Sequence, residues 1–267
     1  MTEHNVPIRP ASTILLLRDE PRLGLEVFMV KRHADMDFMG GALVFPGGKV
    51  DDNDHLPAMQ SHVRSGADIA AQHHAFAIAA IREAFEEAGI LLARRPGSDD
   101  TLTADEVTAL APYRAELVAN RMSMAEFLAQ EKIELALDLL VPFAHWITPV
   151  IRPKRFDTWF FLAPTPAGQL GVHDGSESVD SVWITPNRAL ADADAKRRLI
   201  MTPTRLNLEK LSRAPHMHAA LQLARASTVV TVLPEVARID PDGTTIMRIP
   251  AEADYGMSEV RHVRGKD

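Results

Sequence analysis

Residues 82–90 read Arg82-Glu83-Ala84-Phe85-Glu86-Glu87-Ala88-Gly89-Ile90. Glu83, Glu86 and Glu87 fall at i, i+3 and i+4, positions that share one face of a helix. Like charges at these spacings repel by roughly 0.2–0.5 kcal/mol per pair. Ile81, Phe85 and Ala88 fall on the opposite, apolar face, which must pack. Three carboxylates are therefore predicted at the edge of a core, with Glu86 and Glu87 facing solvent. A divalent cation would turn their repulsion into binding, and hard oxygen donors select magnesium or manganese over zinc. A solvated acidic face is the simpler reading of such a helix. The preceding Phe45-Pro46-Gly47-Gly48 favours the functional one, because a strand running into glycines lets backbone approach a phosphate closely.

Working outward, residues 68–92 are predicted as one helix, with Ile69, His73, Ala77, Ile81, Phe85 and Ala88 as its apolar stripe. Gly89, Arg94, Arg95 and Pro96-Gly97 give the stop signals. Upstream, 11–17 and 24–31 read as a strand pair about a turn with Pro21, 42–45 as a short strand, and 51–66 as irregular. Downstream, 105–120 and 123–132 read as helices, the second opened by the capping box Ser123 and Glu126. Residues 134–140 read as a short helix. Strands are predicted at 145–150, 158–163 and 179–184. Thr185-Pro186 opens a short helix, and Thr202-Pro203 opens another that continues to 224. Residues 228–236 and 244–249 flank a hairpin signal, Asp240-Pro241-Asp242-Gly243. This order predicts an α+β sandwich, not a doubly wound parallel sheet.

The chain has 267 residues, 46 % hydrophobic and 24 % charged, which excludes wholesale disorder and allows one or two domains. It contains no cysteine, so disulfides, a thiol nucleophile and thiolate-held metals are excluded, and a cytoplasmic location fits. A net charge of −7 argues against nucleic-acid binding through the overall field. No apolar run is long enough to span a membrane, and neither end carries a secretory, retention or lipidation signal.

The segment from Arg82 to Ile90 resembles the C-terminal half of the Nudix box, Arg-Glu-apolar-x-Glu-Glu-x-Gly-apolar, at every position. The first half departs from the pattern. Gly48 and Arg82 are 34 positions apart, so about twenty residues are inserted, and Asp54 occupies the place of a box glutamate. The split box, His145-Trp146-Ile147-Thr148-Pro149 and Arg155-Phe156-Asp157-Thr158 together resemble the Nudix subfamily of the mammalian peroxisomal acyl-CoA diphosphatase.

The resemblance implies a Nudix fold, a mixed β-sheet sandwiched between α-helices, with a helical insertion and a C-terminal helix–hairpin extension. It implies a Nudix domain over 1–190, with insertions at about 51–67 and 96–140. Residues 191–267 then form an extension packed on the same domain. It implies a magnesium- or manganese-dependent hydrolase cleaving a small-molecule diphosphate, CoA or acyl-CoA first. NADH, ADP-ribose, dinucleoside polyphosphates and non-catalytic nucleotide sensing are the alternatives. Glu86 and Glu87 are implied metal ligands, and Glu83 a third ligand or the base. Glu177, from a later loop, is implied as a further catalytic acid. Arg82 is implied to orient a box glutamate, and Gly48 and Gly89 to serve backbone geometry.

Of an upstream CoA motif, Arg32 and Gly41 match, while Asp37 stands where an arginine is usual. Arg32, Gly47, Gly48 and Arg155 are the substrate-binding candidates. Lys31, Arg152 and Lys154 are further sources of positive charge. His73, His145 and the three tryptophans are read as packing residues, and Lys196-Arg197-Arg198 as a solvated helix face. A homodimer is left open.

Overall fold

The computed structural model describes residues 6–33, 40–55, 57–64, 68–175 and 178–262. Asp37 and Glu177 lie outside them. The chain begins with β1 (Ile8–Glu20), β2 (Gly24–Arg32), β3 (Leu43–Val44), β4 (Gly47–Lys49) and β5 (Val63–Arg64). Then come α1 (His74–Ala88), β6 (Ala93–Arg94), α2 (Ala104–Ala109), α3 (Pro112–Val118), α4 (Met124–Glu131) and β7 (Glu134–Ala136). Next are β8 (Val141–Ile147), β9 (Arg155–Pro164), β10 (Ser178–Ile184), α5 (Pro186–Asp194), α6 (Thr202–Leu211) and α7 (Met217–Ala226). Strands β11 (Thr231–Val232), β12 (Glu235–Ile239), β13 (Thr245–Arg248) and β14 (Glu259–His262) follow.

The main sheet runs β10-β2-β1-β9-β8-β11, with β3 on β2 and β4 on β1. It is mixed: β1 and β9 are parallel, as are β8 and β11, while the other pairs are antiparallel. Ile14-Leu15-Leu16-Leu17 is fully buried, because β1 is covered on both faces. Ile14 and Leu16 join α1 in one core, and Leu15 and Leu17 join α5, α6 and α7 in the other. Each such leucine contributes about 1.5–3 kcal/mol on burial. Met247, Ile249 and Tyr255 also belong to the second core, which ties the terminal three-stranded sheet β12-β13-β14 to the body. The α+β sandwich, the inserted helices and the terminal helix–hairpin region are therefore present as expected.

Several boundaries differ from the sequence reading. The central helix covers 74–88, not 68–92. A 3-10 turn at Ala71–His73 precedes it, so Ile69 and His73 fall outside its stripe. It is buried nearly all round, because α3 and α4 cover the side away from the sheet, where Phe127 stacks on Phe85 at 5.5 Å. Gly89 ends it in the left-handed region at φ 65, with its N–H donating to Phe85 O and that of Ile90 to Ala84 O. The expected helix at 105–120 divides before Pro112, and that at 202–224 divides before Pro215. Residues 134–136 form a strand followed by a 3-10 turn, not a helix. Thr231–Val232 joins the main sheet rather than the hairpin. Among the described residues, no helix is long and apolar enough to cross a membrane.

Candidate active site

Strand β4 lies against the start of β1, with Gly48 opposite Ser12 and Gly47 opposite Thr13. Both glycines answer to crowding. A Cβ on Gly47 would sit 2.4 Å from Ser12 O, and one on Gly48 would sit 2.3 Å from Glu83 Oε1. The Gly47 N–H donates to Glu87 Oε2 at 3.1 Å. Backbone and carboxylates of the box are thus brought together although an insertion separates them in sequence.

Arg82 organises the carboxylates. Its Nη1 donates to Glu83 Oε1 at 2.9 Å and to Glu86 Oε2 at 3.3 Å. Its Nε and Nη2 reach the two oxygens of Asp54 at 3.2 Å each, and Nη2 also donates to Lys49 O at 2.7 Å. Asp51 adds a fourth carboxylate at 3.7 Å. Asp54 is 2 % exposed, Arg82 7 %, Glu87 6 % and Glu83 9 %. Burial opposes the Arg82 charge, but the attraction of Glu83 and Asp54 outweighs it and raises the guanidinium pKa. Burial raises the Glu86 and Asp54 pKa values against the pull of Arg82. The expected solvent-facing disposition of Glu86 and Glu87 is corrected. Glu87 is buried and Glu86 mostly so, because the insertion and β4 fold over this face of α1.

Among the described residues, one cation, Arg82, meets several carboxylates here. One guanidinium serves Asp51, Asp54, Glu83 and Glu86. Among the described residues, no group of three His, Asp or Glu side chains is placed to hold an ion. The donor set itself, carboxylate oxygens in surplus over cations, is the chemistry that magnesium or manganese takes.

One support was not visible in the sequence, and a second only in part. Arg114 of α3 donates to Glu86 O at 2.8 and 3.2 Å, placing a cation at the carbonyl end of α1. Asp54 had only its count from Gly48 to mark it, and its bidentate grip on Arg82 required the fold.

Other candidates lie elsewhere. Arg155 starts β9 and donates to Thr148 O at 3.0 Å. In the β1–β9 register it is four residues from Trp159, the partner of Ser12, or about 13 Å along the strand. Arg32 ends β2, where its N–H donates to Ala42 O and Ser178 pairs from the edge strand. The bland readings of the aromatic residues hold. Trp159 is stacked between His73 at 4.1 Å and His145 at 4.5 Å, and His145 bonds Thr231 Oγ1 and Asp157. Trp146 is buried, its indole N–H donating to Tyr255.

Comparison with known proteins agrees with this architecture. A family model described as the NUDT19 Nudix domain matches residues 55–211, from the insertion through α6. Putative nudix hydrolase 7 of Caenorhabditis elegans is 31 % identical over 207 residues, 76 % of this chain and 60 % of that protein. Acyl-coenzyme A diphosphatase NUDT19 of Xenopus laevis is 27 % identical over 225 residues, 70 % of this chain and 59 % of that protein. The chain thus spans about 60 % of the length of these relatives. The crystal structure of a NUDIX hydrolase from Alicyclobacillus acidocaldarius superposes with a TM-score of 0.68 at 26 % identity, covering 85 % of this chain and 99 % of the other. With the box closed around Arg82 and the family model spanning more than half of its residues, the chain belongs to the Nudix hydrolase family, in the subfamily resembling NUDT19.

Proposed function

We propose that the chain is a divalent-cation-dependent diphosphatase acting on CoA or acyl-CoA. Water adds to one phosphorus, the P–O bond of the anhydride breaks, and the leaving phosphate keeps the electron pair. The products are a phosphopantetheine species and adenosine 3′,5′-bisphosphate. The observation that carries the reading is the excess of carboxylate around Arg82, held beside Gly47 and Gly48. Sharing one guanidinium among four carboxylates is costly for stability alone, and it is useful where a cation and a diphosphate are to be bound together.

In this reading Glu83, Glu86 and Glu87 hold the cation, which when bound lowers the pKa of water and offsets charge on the phosphates. The chain's own groups do the rest. Arg82 and Asp54 fix the carboxylates, and Glu83 is a third ligand or takes the proton released from water. Gly48 keeps the path above Glu83 clear of any side chain. Glu177 is retained as a further acid. Residues 1–190 form the catalytic domain with 191–267 packed on it, and the protein works in the cytoplasm. The CoA preference draws on the activity for which the NUDT19 relatives are named.

The test is a product assay with magnesium over CoA, acetyl-CoA, a long-chain acyl-CoA, NADH, ADP-ribose and a diadenosine polyphosphate. Adenosine 3′,5′-bisphosphate from the CoA compounds alone is expected. Turnover only of the other substrates would discard the CoA assignment.

A further inference from the structure

Ser12 is fully buried in β1, and its hydroxyl has no hydrogen-bond partner among the described residues. A buried hydroxyl without a partner costs stability, and alanine would fill the same place in the strand without that cost. The backbone leaves the side chain little freedom. Ser12 pairs with Gly48 of β4 on one side and with Trp159 of β9 on the other, so its hydroxyl can only turn about χ1.

The strand register says where it points. Ile14 and Leu16 pack in the core with α1, so Ser12, of the same alternation, faces α1 too. Thr13 faces the other way, and a Cβ on its partner Gly47 would meet Thr13 Oγ1 at 2.8 Å. A Cβ on Gly48, the partner of Ser12, would instead meet both oxygens of the Glu83 carboxylate. Residues directly opposite in an antiparallel pair point to one face, with Cβ atoms about 4.5–5.5 Å apart. The Ser12 hydroxyl and the Glu83 carboxylate therefore share the α1 face about one strand spacing apart. Gly48 puts no side chain between them.

Glu83 Oε1 accepts from Arg82 Nη1 at 2.9 Å, and Glu86 draws on the same nitrogen. A carboxylate that ligates a cation is oriented by a donor to its outer oxygen. A neutral hydroxyl suits that task, because it brings no charge to oppose the cation, whereas a guanidinium does. We propose that Ser12 is a positioning residue for Glu83, its hydroxyl donating to the Glu83 carboxylate in the cation-loaded site. The inference rests on the function proposed above, in which Glu83 holds the cation. Ser12 itself touches neither cation nor substrate.

The test compares Ser12→Ala with the wild type in two measurements on the intact protein. One is urea denaturation in EDTA, and the other is calorimetric titration of manganese chloride without substrate. In EDTA the variant should be as stable as the wild type or more so. Its manganese affinity should be about tenfold to hundredfold lower, the usual effect of losing an outer partner of a ligand. In a Glu83→Gln background the serine change should lower the affinity no further, since the two residues act as one unit. Equal manganese affinity in Ser12→Ala and wild type would overturn this inference and leave the diphosphatase reading standing. A variant that loses stability in EDTA would make the hydroxyl structural and overturn the inference as well. A wild type without manganese affinity would overturn both. An affinity that depends on Ser12, in a protein that leaves CoA intact, would support the serine's role and sink the CoA reading.

Discussion

The backbone N–H of Gly47 donates to Oε2 of Glu87 at 3.1 Å across 40 residues of sequence. This bond joins the two halves of a box that an insertion has pulled apart, and it fixes a carboxylate on α1 against the strand that enters the site. Because Gln keeps an acceptor oxygen at this position, Glu87→Gln should retain the bond and the fold while removing the charge. We expect kcat to fall by about 10²–10³-fold or more, as for loss of one preorganised electrostatic group. The melting temperature should move by only a few degrees. Global unfolding of this variant would make Glu87 structural.

Gly48→Ala should be damaging in a different way. Its Cβ would meet Glu83 Oε1 at 2.3 Å, so Glu83 or β4 must move. Overpacking of this kind costs about 1–3 kcal/mol. Urea denaturation should show that loss, and kcat/KM should fall much further than stability does.

Removing Arg82 should be a stability event. Arg82→Ala would leave Asp54 buried with its main cationic partner gone, and would strip Glu83 and Glu86 of the same cation. Breaking a buried ion pair from one side costs about 3–5 kcal/mol. Arg82→Lys cannot fork to both oxygens of Asp54 and should recover only part of the loss, as read from the denaturant midpoint.

Arg114→Ala should loosen the end of α1. It deletes the bonds to Glu86 O and the favourable charge at the helix C-terminus. A loss of about 1.5–3 kcal/mol is expected for hydrogen bonds to a charged group. A moderate fall in kcat should accompany it, because Glu86 rides on the same turn.

Magnesium should raise the melting temperature of metal-free protein, since an ion that binds only the folded state stabilises it by mass action. The shift should shrink in Glu87→Gln. An equal shift in both proteins would place the ion elsewhere.

Much of this was legible in the sequence. The i, i+3, i+4 glutamates, the Gly-Gly turn and Arg82 all converge, because helical spacing and glycine's lack of a Cβ are local properties. The apolar 11–17 stretch was legible as a strand, and the fold covers it on both faces. What escaped were pairings that only the fold creates. Arg114 carries no local signal, yet it holds Glu86 from another helix. Residues 134–136 are apolar enough for either helix or strand, and pairing with β5 and β6 decided for strand. Lys196-Arg197-Arg198 reads as a solvated helix face, but α5 stops at Asp194 and the left-handed turn at Lys196 folds the two arginines onto Asp192. Arg155 stands about 13 Å along β9 from the partner of Ser12, a placement its motif alone could not give.

The most direct test of the central claim is the yield of adenosine 3′,5′-bisphosphate from CoA and magnesium, wild type against Glu87→Gln. The account predicts stoichiometric bisphosphate and phosphopantetheine from the wild type, and at least a hundredfold less from a folded Glu87→Gln. Equal yields from the two proteins, or none from the wild type, would contradict it.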